Sequence, residues 1–341
     1  MTDSKVLILT TAHDSEDGRL VRHRSALERN NIASEILSLE SRNRLARFVV
    51  GPMKAYLKIR QMQPNCVILP DPELQLFLPF ILRNTVTVIS DVHEAYELVV
   101  GDRSWIRDWF RPVVIFFLRV LARTRNRWSF AVLIADKSIE IKGGIYVSNR
   151  PNPSDLQVAR SSEKLHSFVY VGDIRKSRGL EEMIELVKIT PGISLDLIGP
   201  SNNETYLLNM IAGQGLTERI RWHGRLPYRE SWKIASTAIA GLCFLQPTPA
   251  FRTAISTKIW EYWAVGIPVL GSKLDSQSKL IEESGGGFVG EVEELTSIVQ
   301  MLAQDPDLAH EIGQRGHDFY RTHDDGSEER FIQTVSLAIE K

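Results

Sequence analysis

The sequence has few of the features that mark secreted or membrane-spanning proteins. Only two of its 341 residues are cysteines, Cys66 and Cys243, and each lies in an apolar run typical of a strand. Two isolated cysteines favour a reducing compartment over a disulfide-stabilised fold, so we expect a cytoplasmic protein. No apolar run reaches the ~18 residues that suggest a membrane-spanning helix. The first residues, MTDSKVLILTT, contain no long apolar segment, which predicts no signal peptide.

An excess of charge of one sign is also missing. The chain has 41 Lys and Arg against 42 Asp and Glu, a net charge of −1, which argues against a general nucleic-acid-binding protein. The 43% hydrophobic content is that of a globular protein, and the length suits two domains. No G-x-G-x-x-G follows the first apolar run, which disfavours a dehydrogenase.

Short apolar runs alternate with helical patterns along the whole chain, which predicts an α/β fold with parallel sheets. The predicted strands cover 5–11, 33–39, 65–70, 86–93, 130–136, 166–173, 194–200, 219–224, 239–246 and 267–272. The predicted helices cover 20–29, 45–63, 73–82, 105–123, 180–188, 205–212, 229–235, 256–265, 295–304, 306–322 and 328–341.

A stretch rich in Pro, Ser and Asn interrupts this alternation at residues 148–164 and reads as a linker. We therefore predict two doubly wound, Rossmann-like domains over 1–155 and 165–322. A last helix, within 323–341, is expected to pack back toward the first domain. Such sheets bind ligands at the carboxyl ends of their strands, and we expect the site in the cleft between the domains.

One predicted helix, in STKIWEYWAVGIPVLGS, carries a cation at an unusual place. Ser256 and Thr257 are expected to cap its start, yet Lys258 follows in the first turn, where a positive charge opposes the helix dipole. An external anion would resolve this conflict, and Glu261, one turn on, is better placed to bind a ligand hydroxyl.

A second basic segment, VYVGDIRKSRGLEEMIE, joins a strand to a helix at the carboxyl edge of the predicted second sheet. Arg178, with Gly179 allowing close approach, suits a phosphate; a solvated basic loop is the plain alternative. Gly199 and Gly224 end two further strands and would let a flat ligand approach. Together with Lys258, these positions describe a nucleoside diphosphate site.

The segments VYVGDIRKSRGLEEMIE, LIG, HGRLP and STKIWEYWAVGIPVLGS resemble the C-terminal domain of group 1 (family 4) retaining glycosyltransferases, which have the GT-B fold. The likeness covers residues 169–272, and K-x-x-E-Y-x-A-x-G-x-P-V is its most specific part. It implies that Glu261 binds the ribose. It further implies a donor diphosphate at Arg178, Lys258, Ser256, Thr257 and Gly18, a base at Gly199, Gly224, Arg225 and Leu226, and a donor sugar at Arg252, Thr253, Ala254 and Ile255.

One departure concerns Thr253, because many relatives carry a sugar-binding glutamate eight residues before the ribose glutamate. The sugar would then be held by backbone N–H groups of 253–256 or by Arg252. The departure leaves the donor sugar undetermined.

In the first half, VTVISDVHEAYE places His93 and Glu94 at a strand end, where they suit a catalytic pair. The stretch also resembles the family's yDvHE segment, which implies that His93 lies beside the transferred sugar. A helix start with Asp91 and His93 bonded locally is the alternative. A metal held by His93 with Glu94 or Glu97 is weaker, because no second His or Cys cluster accompanies it.

The first strand-to-helix loop, TTAHDSEDGRLVRHRS, resembles the family's first loop. Asp17 is predicted to cap the helix, and Gly18 would let backbone approach a sugar phosphate or an acceptor. Arg19 and Arg22 are candidates for an anionic acceptor, or they form an exposed helix face. In LPDPEL, Pro70 replaces a histidine that is common in relatives.

Residues 102–128 combine apolar bulk with seven arginines. Such a segment can lie on the anionic inner face of a membrane, apolar side down. The alternative is a core helix with an arginine-rich exposed side.

These observations predict a cytoplasmic retaining glycosyltransferase that moves a sugar from a nucleoside diphosphate sugar to a glycan, glycolipid or polysaccharide precursor. A UDP-sugar is the expected donor and a GDP-sugar the second choice, with no cofactor and no metal, because protein cations would stabilise the diphosphate. A UDP-sugar epimerase or hydrolase of the same fold, or a sugar-nucleotide-binding subunit without catalysis, remain alternatives.

Overall fold

The computed structural model describes residues 5–12, 15, 17–39, 44–93, 109, 111–137, 139–151, 167–248, 251–252 and 254–341. The chain forms two compact units. The first unit contains Met1–Asn149 and Asp325–Lys341, and the second contains Arg150–Asp324. The predicted linker at 148–164 lies largely outside the described residues.

The described part of the first unit is a parallel α/β sheet with helices on both faces, as predicted. Its elements are β1 (Lys5–Thr10), α1 (Gly18–Arg29), β2 (Ala33–Ser38), α2 (Arg44–Met62), β3 (Cys66–Leu69), α3 (Pro72–Leu82), β4 (Thr87–Val92), α4 (Arg111–Trp128), β5 (Ala131–Ile134), β6 (Ile145–Tyr146) and α12 (Ser327–Ile339). The strand order is β2-β1-β3-β4-β5-β6. The short strand β6 was not predicted, and α4 ends five residues later than expected.

Alternate residues of β1 point to the two faces of this sheet and enter two different cores. Val6 and Ile8 belong to a cluster with residues of α1 and α12. Leu7 and Leu9 belong to a cluster with residues of α2 and α3. All four side chains are fully buried, which is why the strand reads as a continuous apolar run.

The second unit repeats this architecture. Its elements are β7 (Phe168–Val171), α5 (Leu180–Ile189), β8 (Leu195–Ile198), α6 (Glu204–Gly213), β9 (Ile220–Trp222), α7 (Tyr228–Ala235), β10 (Gly241–Cys243), α8 (Thr257–Ala264), β11 (Val269–Gly271), α9 (Asp275–Ser284), β12 (Gly287–Val289), α10 (Val292–Gln304) and α11 (Pro306–Thr322). The strand order in the described part is β12-β11-β10-β7-β8-β9, and all pairs are parallel.

The sequence reading missed α9 and β12. Gly285 and Gly286 separate them and are typical of a turn, and β12, which starts at Gly287, is only partly buried at the sheet edge. Of the described helices, none is long and apolar enough to cross a membrane.

Candidate functional site

The start of helix α8 is not capped by any side chain that the structure describes. Ser256 occupies the N-cap position, but its hydroxyl makes no capping hydrogen bond within the described part of the chain. The predicted capping is therefore wrong. The Ser256 hydroxyl instead bonds the sulfur of Cys243 at the end of β10, and the Cys243 thiol donates to Gln277 Oε1 at 3.5 Å. The N–H of Ile259 already donates to the carbonyl oxygen of Ser256 at 3.1 Å. Among the described residues, the N–H groups of Thr257 and Lys258 are the ones that remain available to an anion.

Lys258 lies in this first turn with its ammonium group held close to the sheet. Burial, and then the charge of Arg178, lower its pKa to about 8. Its Nζ lies 5.3 Å from the ring centroid of Tyr170. A Cβ on Gly172 would come within 2.8 Å of this Nζ, and the φ of Gly172 is +140°. Gly172, whose role the sequence reading did not identify, therefore makes room for the lysine.

Arg178 is the second cation of this site. It follows β7 in a single 3-10 turn, Lys176–Arg178, and its guanidinium carbon lies 4.7 Å from the ring centroid of Phe251. Its Nε is buried and has no hydrogen-bond partner among the residues that the structure describes. The neighbouring cations differ, because Arg175 pairs with Asp173 at 3.6 Å and Lys176 with Glu181 at 3.1 Å.

Neither Arg178 nor Lys258 forms an ion pair with any carboxylate of the described residues. Two adjacent cations beside an uncapped helix start repel each other unless an anion joins them. This cluster is the strongest candidate anion site in the described chain.

Glu261 lies one turn further along α8 and is buried, with 8% of its surface exposed. The hydroxyl of Tyr228, at the start of α7, donates to Glu261 Oε1 at 3.1 Å. Tyr228 in turn packs edge-on against Trp232, which packs against Tyr262 of α8. The carboxylate orientation thus depends on Tyr228, a residue that the sequence reading missed because it lies on a different helix.

The three glycines of the second unit that were named from the sequence have different surroundings. A Cβ on Gly179 would lie 2.2 Å from Phe244, and one on Gly199 would lie 2.0 Å from the carbonyl oxygen of Gly172. These two glycines are therefore required for close backbone packing, and their contact with a ligand stays a prediction. Gly224 has a φ of +68° and open space beside it, so a ligand can approach there.

The remaining positions expected around a base and a sugar are mostly at the surface. Arg225 and Arg252 are exposed, and Leu226 packs against the apolar core beside α8. Ala254 is partly buried and Ile255 is 37% exposed. Thr253 lies outside the described residues.

In the first unit, Asp91 at the end of β4 gathers three cationic or titratable side chains. Arg19 donates to both its oxygens, at 2.8 and 2.6 Å, and His23 Nε2 and His93 Nε2 lie 3.0 and 2.9 Å from Oδ2. Although burial opposes ionisation, the charges of Arg19 and His93 hold the pKa of Asp91 well below its usual value. Burial lowers the pKa of His23 to about 4.

This network corrects the expectation for Arg19. The Arg19 side chain is 3% exposed and also donates to the carbonyl oxygen of Val147 at 3.1 Å. It therefore does not belong to an exposed helix face, and it is not accessible to an acceptor. Arg22 is partly exposed, donates to Asn149 Oδ1 at 2.7 Å and covers the space beside Gly18. The predicted capping of α1 by Asp17 is confirmed, since its carboxylate accepts from the N–H groups of the first turn.

His93 is 16% exposed at the side chain and is oriented by Asp91. The alternative in which Asp91 and His93 bond each other locally is therefore confirmed in part, because His93 Nε2 lies within hydrogen-bond distance of Asp91 Oδ2. Glu94 and Glu97 lie outside the described residues. Among the residues that are described, no group of three His, Cys, Asp or Glu side chains could hold a metal ion.

Comparison with known proteins gives a family match in the second half of the chain. Residues 175–330 match the family described as glycosyl transferase-like. The lipopolysaccharide core biosynthesis glycosyltransferase LpsE of Rhizobium meliloti is 20% identical over 151 residues. That alignment covers 43% of this chain and 42% of LpsE, so the match spans less than half of that relative.

Solved structures match over nearly the whole chain. HepE of Anabaena in complex with UDP-glucose has a TM-score of 0.71 at 15% identity, covering 98% of this chain and 99% of HepE. Sucrose-phosphate synthase of Thermosynechococcus elongatus has a TM-score of 0.73 at 13% identity, covering 98% of both chains. At these identities the likeness shows the fold, which is GT-B.

Proposed function

We propose that this protein transfers a sugar from a nucleoside diphosphate sugar to an acceptor hydroxyl, because residues 175–330 match a glycosyl transferase-like family and the fold is GT-B. The donor is a UDP-sugar, with a GDP-sugar as second choice. HepE, which shares the fold, was solved with UDP-glucose, and this supports the first choice. The acceptor is a glycan, a glycolipid or a polysaccharide precursor, and the similarity to LpsE supports this class.

The observation that carries the proposal is the cation pair Lys258 and Arg178 beside the uncapped start of α8. A diphosphate would satisfy both cations and the free N–H groups at once. It would also restore the charge on Lys258, whose pKa burial lowers to about 8. Glu261, held by Tyr228, would accept hydrogen bonds from ribose hydroxyls, and the open space at Gly224 would admit the base.

In the proposed reaction the acceptor oxygen forms a bond to the anomeric carbon while the bond from that carbon to the diphosphate oxygen breaks. The electron pair goes to the diphosphate, and the acceptor proton passes to the departing diphosphate oxygen. Attack on the leaving-group side would retain the anomeric configuration. Lys258 and Arg178 would stabilise the charge that develops on the diphosphate.

The other roles implied by the family resemblance are retained in part. His93 and Glu94 would contact the donor sugar, with Asp91 orienting His93. Backbone N–H groups of 253–256 or Arg252 would hold the sugar in place of the missing glutamate. Arg22 is retained at the acceptor and Gly18 beside the diphosphate, whereas buried Arg19 is not. We place the protein in the cytoplasm, in peripheral contact with a membrane through 102–128.

The first test combines nucleotide binding with turnover. Thermal unfolding is measured with UDP, GDP, ADP and dTDP-sugars, and nucleotide release is then measured with and without a glycolipid acceptor. Release that requires the acceptor supports the transferase. Release without acceptor indicates the hydrolase or epimerase, and binding without turnover indicates the non-catalytic subunit.

The second test separates the anion site from general effects of charge. Lys258→Met keeps the length of the side chain and removes the charge, so we expect nucleotide affinity to fall by about 10- to 100-fold, the equivalent of about 1.5–3 kcal/mol for a charged hydrogen bond. Lys279→Met removes an exposed cation of the same unit and should leave affinity unchanged. Equal affinities of Lys258→Met and the parent protein would refute the proposed diphosphate site.

A further inference from the structure

Three neighbouring helices cover one face of the first unit. Helix α3 packs between α2 and α4, whereas α1 and α12 pack against a core on the other face of the sheet. The outward surface of α2, α3 and α4 is called here the three-helix face. Only α4 belongs to the segment 102–128 that the sequence singled out.

Large apolar side chains are exposed across the three-helix face. Met53 is 63% exposed on α2, Phe77 is 55% exposed on α3, and Phe116 is 61% exposed on α4. Most of the large apolar side chains that are exposed among the described residues lie on these helices. They are Phe48, Val49, Val50, Met53, Leu57, Phe77, Phe80, Ile81, Val113, Phe116 and Phe117. An apolar surface of this extent marks an interaction site.

The same face is strongly basic. Helix α2 exposes Lys54, Lys58 and Arg60, and neither α2 nor α4 contains Asp or Glu. Two arginines do not add to this surface, because Arg125 of α4 is buried and Arg47 of α2 pairs with Glu73 of α3 at 2.6 Å. On α4, Arg119, Arg123 and Arg127 are exposed at four-residue spacing and therefore form one stripe. Like charges at this spacing destabilise a helix, and the described residues place no carboxylate in an ion pair with any of the three.

Other surface helices neutralise their cations internally. Arg24 pairs with Glu28 on α1 and Arg315 with Glu311 on α11, each through a carboxylate four residues away. Helix α4 contains no Asp or Glu that could form such a pair within the helix. The anion that balances the arginine stripe must therefore come from outside the helix.

We infer that the three-helix face docks on the surface of an anionic lipid bilayer. Arginine side chains would bind lipid phosphates, and the exposed Phe, Met and Leu side chains would enter the boundary between headgroups and acyl chains. A second copy of the chain fits poorly, because a symmetric interface would press two basic faces together. The inference does not depend on the proposed transferase activity, and its test contains neither nucleotide nor acceptor.

The test is co-flotation of the purified full-length protein with vesicles. Binding is expected to vesicles of phosphatidylcholine and phosphatidylglycerol, not to phosphatidylcholine alone, and to weaken as salt is raised. Arg119→Gln/Arg123→Gln/Arg127→Gln should reduce partitioning by about 100-fold, from about 1 kcal/mol per cation at the membrane surface. Phe116→Ser/Phe117→Ser should reduce it by about tenfold or more.

Each variant has a matched control in exposed residues outside the face. Lys233→Gln/Lys279→Gln/Arg321→Gln removes three cations of the second unit, and Leu208→Ser/Leu337→Ser removes two apolar side chains with 51% and 52% exposure. Neither control should change partitioning, and thermal unfolding confirms that all four variants fold.

The inference would be overturned if the parent protein did not bind anionic vesicles, if the arginine variant bound them undiminished, or if the charge control lost as much binding. A solution dimer that the Phe116→Ser/Phe117→Ser variant dissociates would also overturn it. Binding to RNA that matches binding to anionic vesicles would also overturn it, since the face would then be a general polyanion site.

Discussion

At the scale of single residues, the candidate site is defined by a charge in an unfavourable place. Lys258 is held against Gly172 and near Arg178, and both burial and the neighbouring charge disfavour its protonated form. A bound anion would reverse this balance, since it stabilises the ammonium in the same surroundings. The unfavourable surroundings of the Lys258 ammonium therefore indicate an anionic ligand at this position.

Nucleotide affinity should depend on the protonation of Lys258. Because the pKa of Lys258 is about 8, binding a diphosphate to the charged lysine at higher pH requires proton uptake, so affinity should fall by about tenfold between about pH 7.5 and 9. Lys258→Arg stays charged across this range and should bind with a flatter profile. Calorimetry at both pH values measures the difference, and parallel profiles of the two proteins would contradict the role of Lys258.

His23 should make the stability of the fold depend on pH. Its pKa is about 4 in the folded chain and 6.5 as a model value, so the folded state binds fewer protons between these values. The stability is fully present above about pH 6.5 and is lost as the pH falls toward 4, by about 2 kcal/mol at pH 5. The groups that face His23 are Asp91, Arg19 and His93.

Urea unfolding of the parent and of His23→Gln at pH 7.5 and pH 5 checks this expectation. Gln does not titrate and can still donate to Asp91, so the variant should lose less stability between the two pH values. A variant that loses as much as the parent would show that the dependence comes from other groups.

At the scale of elements, the site depends on how closely α8 packs. A Cβ on Gly241 of β10 would lie 2.4 Å from Tyr262, and one on Gly316 of α11 would lie 2.2 Å from Trp263. The Tyr262 hydroxyl accepts from the N–H of Val171 at 3.1 Å and donates to the carbonyl of Leu242 at 3.2 Å. These contacts set the position of α8, and with it Lys258 and Glu261.

Two glycine-to-alanine changes should therefore have opposite effects. Gly316→Ala places a methyl group against the Trp263 ring and should lower the free energy of unfolding by about 1–3 kcal/mol. At Gly213, at the end of α6, an added Cβ would meet no described residue within 4 Å apart from its chain neighbours and its own helix backbone, so Gly213→Ala should raise the free energy of unfolding by about 0.5–1 kcal/mol. Chemical unfolding measures both, and a loss of stability in the second variant would show that the packing argument fails.

At the scale of the whole molecule, the first unit is built from both ends of the chain. Helix α12 contributes Phe331, Val335 and Ala338 to the same core as Val6 and Ile8 of β1. Phe331 is 1% exposed and stacks on His23 with ring centroids 4.3 Å apart. The first unit thus requires the last residues of the chain to complete one face of its sheet.

Phe331→Ala should weaken the first unit selectively. The cavity and the lost burial are expected to lower the stability of this unit by about 3–5 kcal/mol. Hydrogen exchange should accelerate in β1 and β3 and stay unchanged in β7 and β10. Equal acceleration in both sheets would show that the two units unfold as one.

The predictability of the site differs between its parts. Lys258 and Glu261 are three residues apart on a helix, so the sequence alone predicts that they share a face. The capping role of Ser256 was predicted wrongly, because the hydroxyl has a competing partner, Cys243, that local sequence cannot show. The prediction that Arg19 is exposed is wrong for a similar reason, because its partner Asp91 lies on another element.

The sequence by itself determined the α/β class, most strands and helices, and the helix that carries Lys258 and Glu261. These features follow from local periodicity and helix geometry. Only the tertiary structure decided that Gly172, Arg178 and Tyr228 surround that helix, that Asp91 gathers Arg19 with two histidines, and that α2 and α3 extend the basic apolar surface of α4. Such contacts join residues far apart in the chain, and they depend on strand order, which an alternating pattern leaves undetermined.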